Sequence, residues 1–152
     1  MLYNRLHFLR ERLGLTQKEL AKLLNIKNDG YCHYEKENFI IPIKHLNTLC
    51  NYFNVSLDYI FNFTDTLNYE DNTNDINKCL SGTRLKEFRK ENKITQEKLA
   101  KILNISRTTI TEYERGTNII ATPFLYELCK KYNLSADYLL GKTKNTKYFK
   151  TY

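Results

Sequence analysis

Four cysteines and three histidines are the residues whose side chains could bind a metal ion or carry redox chemistry. The cysteines are Cys32, Cys50, Cys79 and Cys129, and the histidines are His7, His33 and His45. A zinc site needs closely spaced ligands such as Cys-x-x-Cys, and these residues complete no such pattern. We therefore expect reduced structural thiols, no bound metal and no cofactor.

The sequence also lacks the signatures of catalytic sites. It contains no glycine-rich phosphate loop, no Ser/His/Asp or Cys/His signature and no paired carboxylates at a recognisable metal-binding spacing. With 41% hydrophobic residues the chain can still form packed cores. We therefore expect a globular binding protein that is not an enzyme.

The net charge of +7 and the isoelectric point near 9.2 favour a polyanionic partner. Residues 1–61 carry about +2, residues 62–80 about −3, and residues 81–141 and 142–152 about +4 each. No apolar run approaches the roughly 20 residues of a membrane span, and Arg5 and His7 interrupt the apolar start of the chain. These features predict a cytoplasmic protein without a membrane partner.

A duplicated segment organises the chain. A shift of 79 residues places residues 5–61 over residues 84–140 with about two-fifths identity. The densest match joins TQKELAKLLNI, beginning at Thr16, to TQEKLAKILNI, beginning at Thr95. We predict two domains at residues 1–61 and 81–141, an acidic, asparagine-rich linker at 62–80 that is solvated and flexible, and a basic tail at 142–152.

Each copy reads as five short helices, because apolar residues recur at three- and four-residue spacing, as in Leu20, Leu23 and Leu24. Thr16 and Glu19 form a capping-box pattern, whereas Thr95 is followed by a lysine at the reciprocal position. Asparagine follows each of these helices and tolerates the left-handed backbone of a sharp turn. The next helix can therefore begin almost at once.

The pattern T-Q-x-x-L-A-x-x-L-N-I, a second helix and then Y-E-[KR] resembles the Cro/C1 type of helix-turn-helix, also called the XRE family. Both copies carry it, and the resemblance covers about four-fifths of the chain. It implies an all-α fold of two lambda-repressor-like five-helix domains joined by a flexible linker. It also implies a sequence-specific transcriptional regulator that binds double-stranded DNA, with the second helix of each pair in the major groove.

The resemblance assigns DNA-contacting positions in both copies. They are Gln17, Lys27, Asn28, His33 and Lys36 in the first copy, and Gln96, Ser106, Arg107, Thr108, Thr109, Glu112 and Arg115 in the second. The glutamines stand at a first helical turn, where a side-chain amide and backbone N–H groups can meet a phosphate. Arg107 could bind guanine and Thr108 a thymine methyl group, while Glu112 either accepts from cytosine or stays solvated.

The first copy departs from this pattern. Lys27 replaces a capping serine, Gly30 weakens the helix by up to about 1 kcal/mol, and Glu37 replaces the usual loop glycine. Asp29 either adds negative charge to the outward face or caps a helix that starts later. Asn28 could still bind adenine, and Lys27 a phosphate or guanine, so weak or differently specific DNA binding is the expectation here.

Two further groups of residues have structural interpretations. The resemblance implies an interhelical ion pair between Arg10 and Glu35, and another between Arg89 and Glu114. The tail KTKNTKYFKTY is either a frayed terminus or a basic arm that follows phosphates; its residues include Lys142, Lys144, Lys147, Tyr148, Phe149, Lys150 and Tyr152.

Two functions compete on this sequence. In the first, the tandem domains form a transcriptional regulator, either as an internal pseudo-dimer or as halves of a homodimer. In the second, the chain is a protein-interaction module, antitoxin-like or repressor-modulating, in which only the second domain binds DNA. An apolar patch for that partner could come from Phe39, Ile40, Ile41, Phe61 and Phe63, although core packing is their commoner fate.

Overall fold

A computed structural model describes residues 3 to 147. Within this range the secondary structure consists of ten α-helices and contains no strand, as the all-α prediction requires. The described chain divides into two compact units between Asn68 and Tyr69, and each unit contains five helices. The predicted fold class is therefore confirmed.

The first domain contains α1 to α5. Their bounds are Asn4–Arg12, Gln17–Leu23, Asn28–Glu35, Ile43–Phe53 and Leu57–Ile60. Thr16 and Glu19 form the predicted capping box at the start of α2. Ser56 caps α5 by accepting a hydrogen bond from the backbone N–H of Tyr59. Local capping therefore accounts for where these two helices begin.

The second domain contains α6 to α10. Their bounds are Lys78–Glu91, Gln96–Leu103, Arg107–Arg115, Thr122–Tyr132 and Ala136–Leu139. Thr95, Ser106 and Ser135 cap α7, α8 and α10 with their hydroxyl groups. Asn77 caps α6, so this helix begins inside the stretch that was predicted as linker.

A tight turn joins the second and third helices of each domain. Asn25 and Asn104 both have φ of +55°, the left-handed conformation predicted for them. Ala21 and Ala100, the small residues at equivalent positions of α2 and α7, are buried. The structure thus confirms the local signals of a helix-turn-helix in both copies.

The stretch 62–80 differs from the uniform solvated linker that its composition predicts. Phe63 and Thr64 are buried in the first domain, where Arg5 donates to the carbonyl of Thr64. In the second domain Asp71 accepts a hydrogen bond from Thr143 Oγ1 at 2.6 Å and another from the backbone N–H of Lys144 at 2.8 Å. Specific contacts, which composition does not report, hold both parts of this stretch against helices.

The duplication also extends further than the sequence identity. The backbone N–H of Ser56 donates to the carbonyl of Leu67 at 2.7 Å, and Ser135 donates to Thr146 at 2.9 Å. These two bonds are related by the same shift of 79 residues. The segment after the fifth helix therefore returns to the start of that helix in each domain, although its residues have diverged.

The start of the basic tail is part of the second domain. Lys142 and Thr143 are buried, whereas Lys144 and Lys147 are exposed. Thr143 bonds to Asp71 and the carbonyl of Lys142 accepts from Thr73, so neither a frayed terminus nor a basic arm describes these first two residues. Tyr148, Phe149, Lys150 and Tyr152 lie outside the described residues.

The apolar patch considered from the sequence divides into two groups. Phe39 and Ile40 are exposed in the loop between α3 and α4. Ile41, Phe61 and Phe63 are buried and belong to the core of the first domain. Core packing, the alternative stated for these residues, thus removes three of the five from the surface.

Candidate nucleic-acid interface

Helix α8 has a buried face and an outward face. Ile110 is completely buried and Tyr113 is nearly so, which anchors α8 on the rest of the second domain. Arg107 and Thr108 are exposed in the first turn. The outward face therefore begins at the helix N-terminus, where a helix in the major groove presents side chains to base edges.

A buried ion pair holds α8 against its neighbours. Arg89 Nε on α6 lies 2.5 Å from Glu114 Oε1 on α8, and Arg89 also donates to the carbonyl of Ile94. Gln96 Nε2 on α7 donates to Glu114 Oε2 at 2.7 Å. One carboxylate thus joins three helices, as the resemblance implied for Arg89 and Glu114.

Gln96 and Glu97 hold the side chain of Arg107. Arg107 Nη1 lies 2.9 Å from Glu97 Oε1, and its Nε donates to Gln96 Oε1 at 3.3 Å. The amide of Gln96 therefore bonds to Glu114 through its nitrogen and to Arg107 through its oxygen. The contact of Gln96 with a phosphate stays a prediction. In this structure its amide bonds to Glu114 and Arg107 instead.

A groove of about 600 Å³ lies beside α8 in the second domain. Its lining residues are Lys86, Gln96, Arg107, Thr108, Thr111, Glu114 and Arg115. Four of the predicted DNA-contacting residues, Gln96, Arg107, Thr108 and Arg115, are thus brought to one concave surface. The groove is polar and contains three cationic side chains, which suits a polyanion.

The other predicted positions on this domain have local partners. Ser106 Oγ accepts from the backbone N–H of Thr109, and the two hydroxyl groups lie 2.8 Å apart. Glu112 Oε2 accepts from Asn118 Nδ2 at 3.1 Å, which turns this carboxylate toward the loop after α8. These three residues do not line the groove.

The first domain repeats the buried network with an additional partner. Arg10 Nε lies 2.6 Å from Glu35 Oε1, and Gln17 Nε2 donates to Glu35 Oε2 at 2.9 Å. His7 Nδ1 also lies 3.0 Å from Glu35 Oε2. Burial of this carboxyl group opposes its ionisation, but hydrogen bonds from Arg10, Gln17 and His7 lower the pKa of Glu35 to about 2.

The outward face of α3 differs from that of α8. Lys27 makes no side-chain capping bond, and α3 begins at Asn28, so Asp29 does not cap a later helix. Lys27, Asn28 and Lys36 are exposed. The ring of His33 packs against Phe39 with 4.5 Å between centroids, which turns this histidine toward the loop. Three of the predicted residues of the first domain are thus exposed, and their contacts with DNA stay a prediction.

The loops after α3 and α8 also differ. Glu37 has φ of +60°, whereas Gly116 at the equivalent position has φ of +74°. A left-handed backbone is costly for glutamate and ordinary for glycine. Glu37 Oε1 accepts from the backbone N–H of Tyr3 at 2.9 Å, a contact that a glycine cannot make.

Sequence reasoning missed three residues near this interface: Lys86, Glu97 and Thr111. Arg107, Thr111 and Arg115 are spaced at i, i+4 and i+8, so helical periodicity could have placed Thr111 on the outward face. Lys86 is on a different helix, and Glu97 pairs with Arg107 across the turn. No local pattern identifies those two residues.

Comparison with known families supports the same division of the chain. A family described as a helix-turn-helix domain matches residues 3–65, and a family described as helix-turn-helix matches residues 85–139. The fold and both matches define a protein of the helix-turn-helix class. Both copies of the repeat are thus helix-turn-helix domains in tandem, as the resemblance to the Cro/C1 type implied.

Curated relatives agree with this assignment. The chain is 42% identical over 66 residues to the HTH-type transcriptional regulator ImmR of Bacillus subtilis, covering 43% of this chain and 52% of the relative. It is 35% identical over 63 residues to the antitoxin PezA of Streptococcus pneumoniae, covering 41% of this chain and 40% of the relative. The chain therefore spans about half or less of these relatives.

A third relative is the HTH-type transcriptional regulator PrpR of Mycobacterium tuberculosis, which is 36% identical over 61 residues. The match covers 40% of this chain and 13% of that protein.

Among residues 3 to 147, no helix combines the length and the apolar character that crossing a membrane requires.

Proposed function

We propose that this protein is a sequence-specific DNA-binding transcriptional regulator whose second domain is the principal reader of the operator. The observation that carries this proposal is the convergence of Arg107, Thr108 and Arg115 on one groove beside α8. The relatives named above support the assignment, because two of them are transcriptional regulators. The matched helix-turn-helix families give no reason to assign an enzymatic reaction.

In this proposal the N-terminal turn of α8 enters the major groove. Arg107 donates to O6 and N7 of a guanine, and Thr108 contacts a thymine methyl group. The contact of Arg107 with Glu97 does not prevent this, because both side chains are more than half exposed and such surface pairs contribute little free energy. Gln96 holds Arg107 beside α7, and on binding DNA the guanine takes the place of Glu97 as the partner of Arg107.

Phosphate contacts position the domain on the duplex. Arg115 is exposed and donates to a phosphate, while Ser106 and Thr109 offer hydroxyl groups at the same end of α8 as Arg107. Glu112 remains bonded to Asn118 rather than reading a cytosine. In the first domain Lys27, Asn28 and Lys36 provide weaker contacts on a surface that also carries Asp29.

Sequence selection from random duplexes with the full chain tests this function. The Arg107→Ala variant should bind the selected site about 10- to 100-fold more weakly and lose preference at one base pair, because one bidentate contact is removed. The matched variant is Asn28→Ala at the equivalent position of the first domain, and its loss should be smaller. Selection of no sequence by the wild-type chain would exclude this function.

A second function, self-association through the first domain, is favoured by a specific difference between the domains. Within residues 3 to 147 every exposed large hydrophobic side chain is in the first domain; they are Phe8, Leu13, Leu23, Phe39, Ile40, Tyr52 and Leu67. In the second domain Glu87, Asn92 and Thr146 line a single concavity of about 370 Å³. Their equivalents in the first domain are Phe8, Leu13 and Leu67, which we call the apolar face.

We propose that a second copy of this chain covers the apolar face. Symmetric dimers are the commonest assemblies, and operator palindromes reflect the two-fold symmetry of dimeric regulators. The concavity in the second domain is lined from α6, α9, α10 and the segment after α10, so it lies away from α8. By the repeat, the apolar face lies away from α3, and association through it leaves the recognition helices accessible.

The oligomeric state of the full chain tests this second function. Replacing Phe8→Glu together with Leu13→Asn, the residues found at these positions in the second domain, should convert dimers into monomers in sedimentation experiments. Phe39→Asn is the matched control, because Phe39 is exposed in a different part of the domain and should not change the dimer. A wild-type chain that sediments as a monomer at micromolar concentration would contradict dimerisation and favour an internal pseudo-dimer.

A further inference from the structure

Helix α6 lies directly on the C-terminal half of α8. A Cβ atom built at Gly82 would stand 2.5 Å from the carbonyl oxygen of Glu114 and 2.6 Å from that of Tyr113. These distances are far inside van der Waals contact, so only glycine permits this approach. Arg89, seven residues further along α6, is ion-paired with Glu114. The same face of α6 therefore meets α8 at both positions.

Lys86 lies between those two contacts on that face of α6. It is four residues after Gly82 and three before Arg89, and helical spacing places all three on one side. The side chain of Lys86 lines the groove together with Arg107 and Arg115 from α8. The close helix packing thus brings a lysine from α6 to the surface that α8 uses for DNA.

The groove has an excess of positive charge. Glu114 is its one carboxylate, and this side chain is 5% exposed and bonded to Arg89 and Gln96. The negative charge of Glu114 is therefore already balanced by Arg89. Within residues 3 to 147, Lys86 and Arg115 make no ion pair and no side-chain hydrogen bond, so no carboxylate balances the charge of these two groove-lining side chains.

The equivalent surface of the first domain carries less positive charge, with Lys36 at the position of Arg115 as its one lysine or arginine. The positions of Lys86, Arg107 and Thr108 are occupied there by His7, Asn28 and Asp29. His7 Nδ1 lies 3.0 Å from Glu35 Oε2 and its Nε2 lies 3.1 Å from Glu11 Oε1. The first domain thus uses this position for an internal contact, whereas the second leaves a cation available.

We propose that Lys86 and Arg115 bind a backbone phosphate of DNA in this groove, so that α6 forms part of the nucleic-acid interface of the second domain. This inference rests on the proposed function. A phosphate there lies beside the base pair that Arg107 reads and connects α6 and α8 through one anion. Its contribution is to affinity and orientation and not to base preference.

The salt dependence of DNA binding tests this site. Lys86→Ala in the full chain should weaken binding to the selected duplex and to an unrelated duplex by the same factor. It should also reduce the slope of log K against log[salt] by about 0.9, the value for one lost phosphate contact. Lys90→Ala is the matched control, because Lys90 is an exposed lysine on α6 that does not line the groove. Its slope should equal that of the wild type.

Two further measurements distinguish the loss of this phosphate site from a failure of the proposed function. Ethylation of one phosphate should inhibit binding by the wild-type chain more strongly than binding by Lys86→Ala, in which only Arg115 still contacts that phosphate. Lys86→Arg should restore the slope. An unchanged slope for Lys86→Ala, with thermal melting also unchanged, would overturn the phosphate site while leaving the proposed function intact. If the wild-type chain shows no salt-dependent binding to any duplex, the proposed function itself fails and this site with it.

Discussion

The two domains have the same interior polar network and different outward faces. Arg10, Gln17 and Glu35 in the first domain repeat the bonds of Arg89, Gln96 and Glu114 in the second. Around these networks the second domain has a cationic groove, and the first has Asp29 in place of Thr108 and an exposed Phe8 in place of Glu87. The interior of the fold thus tolerates little change, whereas its surface can acquire a different function.

Loss of the buried arginine is the most severe test of this comparison. Arg89→Met leaves Glu114 buried beside Gln96 alone, and we expect the second domain to lose about 3 to 5 kcal/mol of stability. Arg10→Met should cost less, because His7 and Gln17 still bond to Glu35. Chemical denaturation followed separately for each domain measures both losses. Equal losses would show that His7 contributes nothing.

Acid provides a test of the polar network in the first domain. The pKa of Glu35 is lowered to about 2 in the folded chain and rises to its ordinary value near 4.5 on unfolding. Stability from this group is complete above pH 4.5 and is lost as pH falls toward 2, by on the order of 3 kcal/mol. Denaturation midpoints between pH 6 and pH 2 measure it, and Glu35→Gln should flatten that dependence.

Glycine substitutions should have opposite signs in the two domains. Gly82→Ala places a methyl group 2.5 Å from a carbonyl oxygen, so we expect a loss of about 1 to 3 kcal/mol from the second domain. Gly30→Ala meets only Ile26 Cδ1 at 3.7 Å, and should stabilise α3 by up to about 1 kcal/mol. Thermal denaturation of both variants measures the difference. A stabilising Gly82→Ala would contradict the close contact of α6 and α8.

The smallest expected difference concerns helix capping. Thr16→Ala removes the hydroxyl half of a capping box and leaves the other half, since the carboxylate of Glu19 accepts from the backbone N–H of residue 16 at 2.6 Å. Thr95→Ala removes a single cap, with no reciprocal partner at Lys98. We expect losses of about 1 kcal/mol in each case, smaller for Thr16 because the Glu19 bond remains. Denaturation of the two single variants in parallel compares them.

Much of the fold could be predicted from local sequence. Capping threonines and serines, the left-handed asparagines and the apolar spacing located most helices within one or two residues, because these signals act within a single turn. Because the chain contains two copies of the domain, each position could be judged from two residues. The start of α6 was missed because its cap, Asn77, stands in an asparagine-rich stretch that has the composition of a linker.

Prediction of the surface from local pattern was less successful. Ile40 and Ile41 are adjacent and chemically identical, yet one is exposed and the other buried. Lys142 belongs to a stretch with the composition of a basic tail, yet this lysine is buried. In each case burial depends on contacts with residues that are distant in the sequence. The neighbouring residues in the sequence do not indicate those contacts.

The sequence by itself determined the duplication, the helix-turn-helix in each copy and the place of Arg107 and Thr108 in the first turn of α8. Those features depend on spacing within one helix or on identity between copies. Only the tertiary structure placed Lys86 beside Arg115, engaged Gln96 with both Glu114 and Arg107, and gave His7 a partner in Glu35. These contacts join different helices, and close packing at residues such as Gly82 decides which side chains meet.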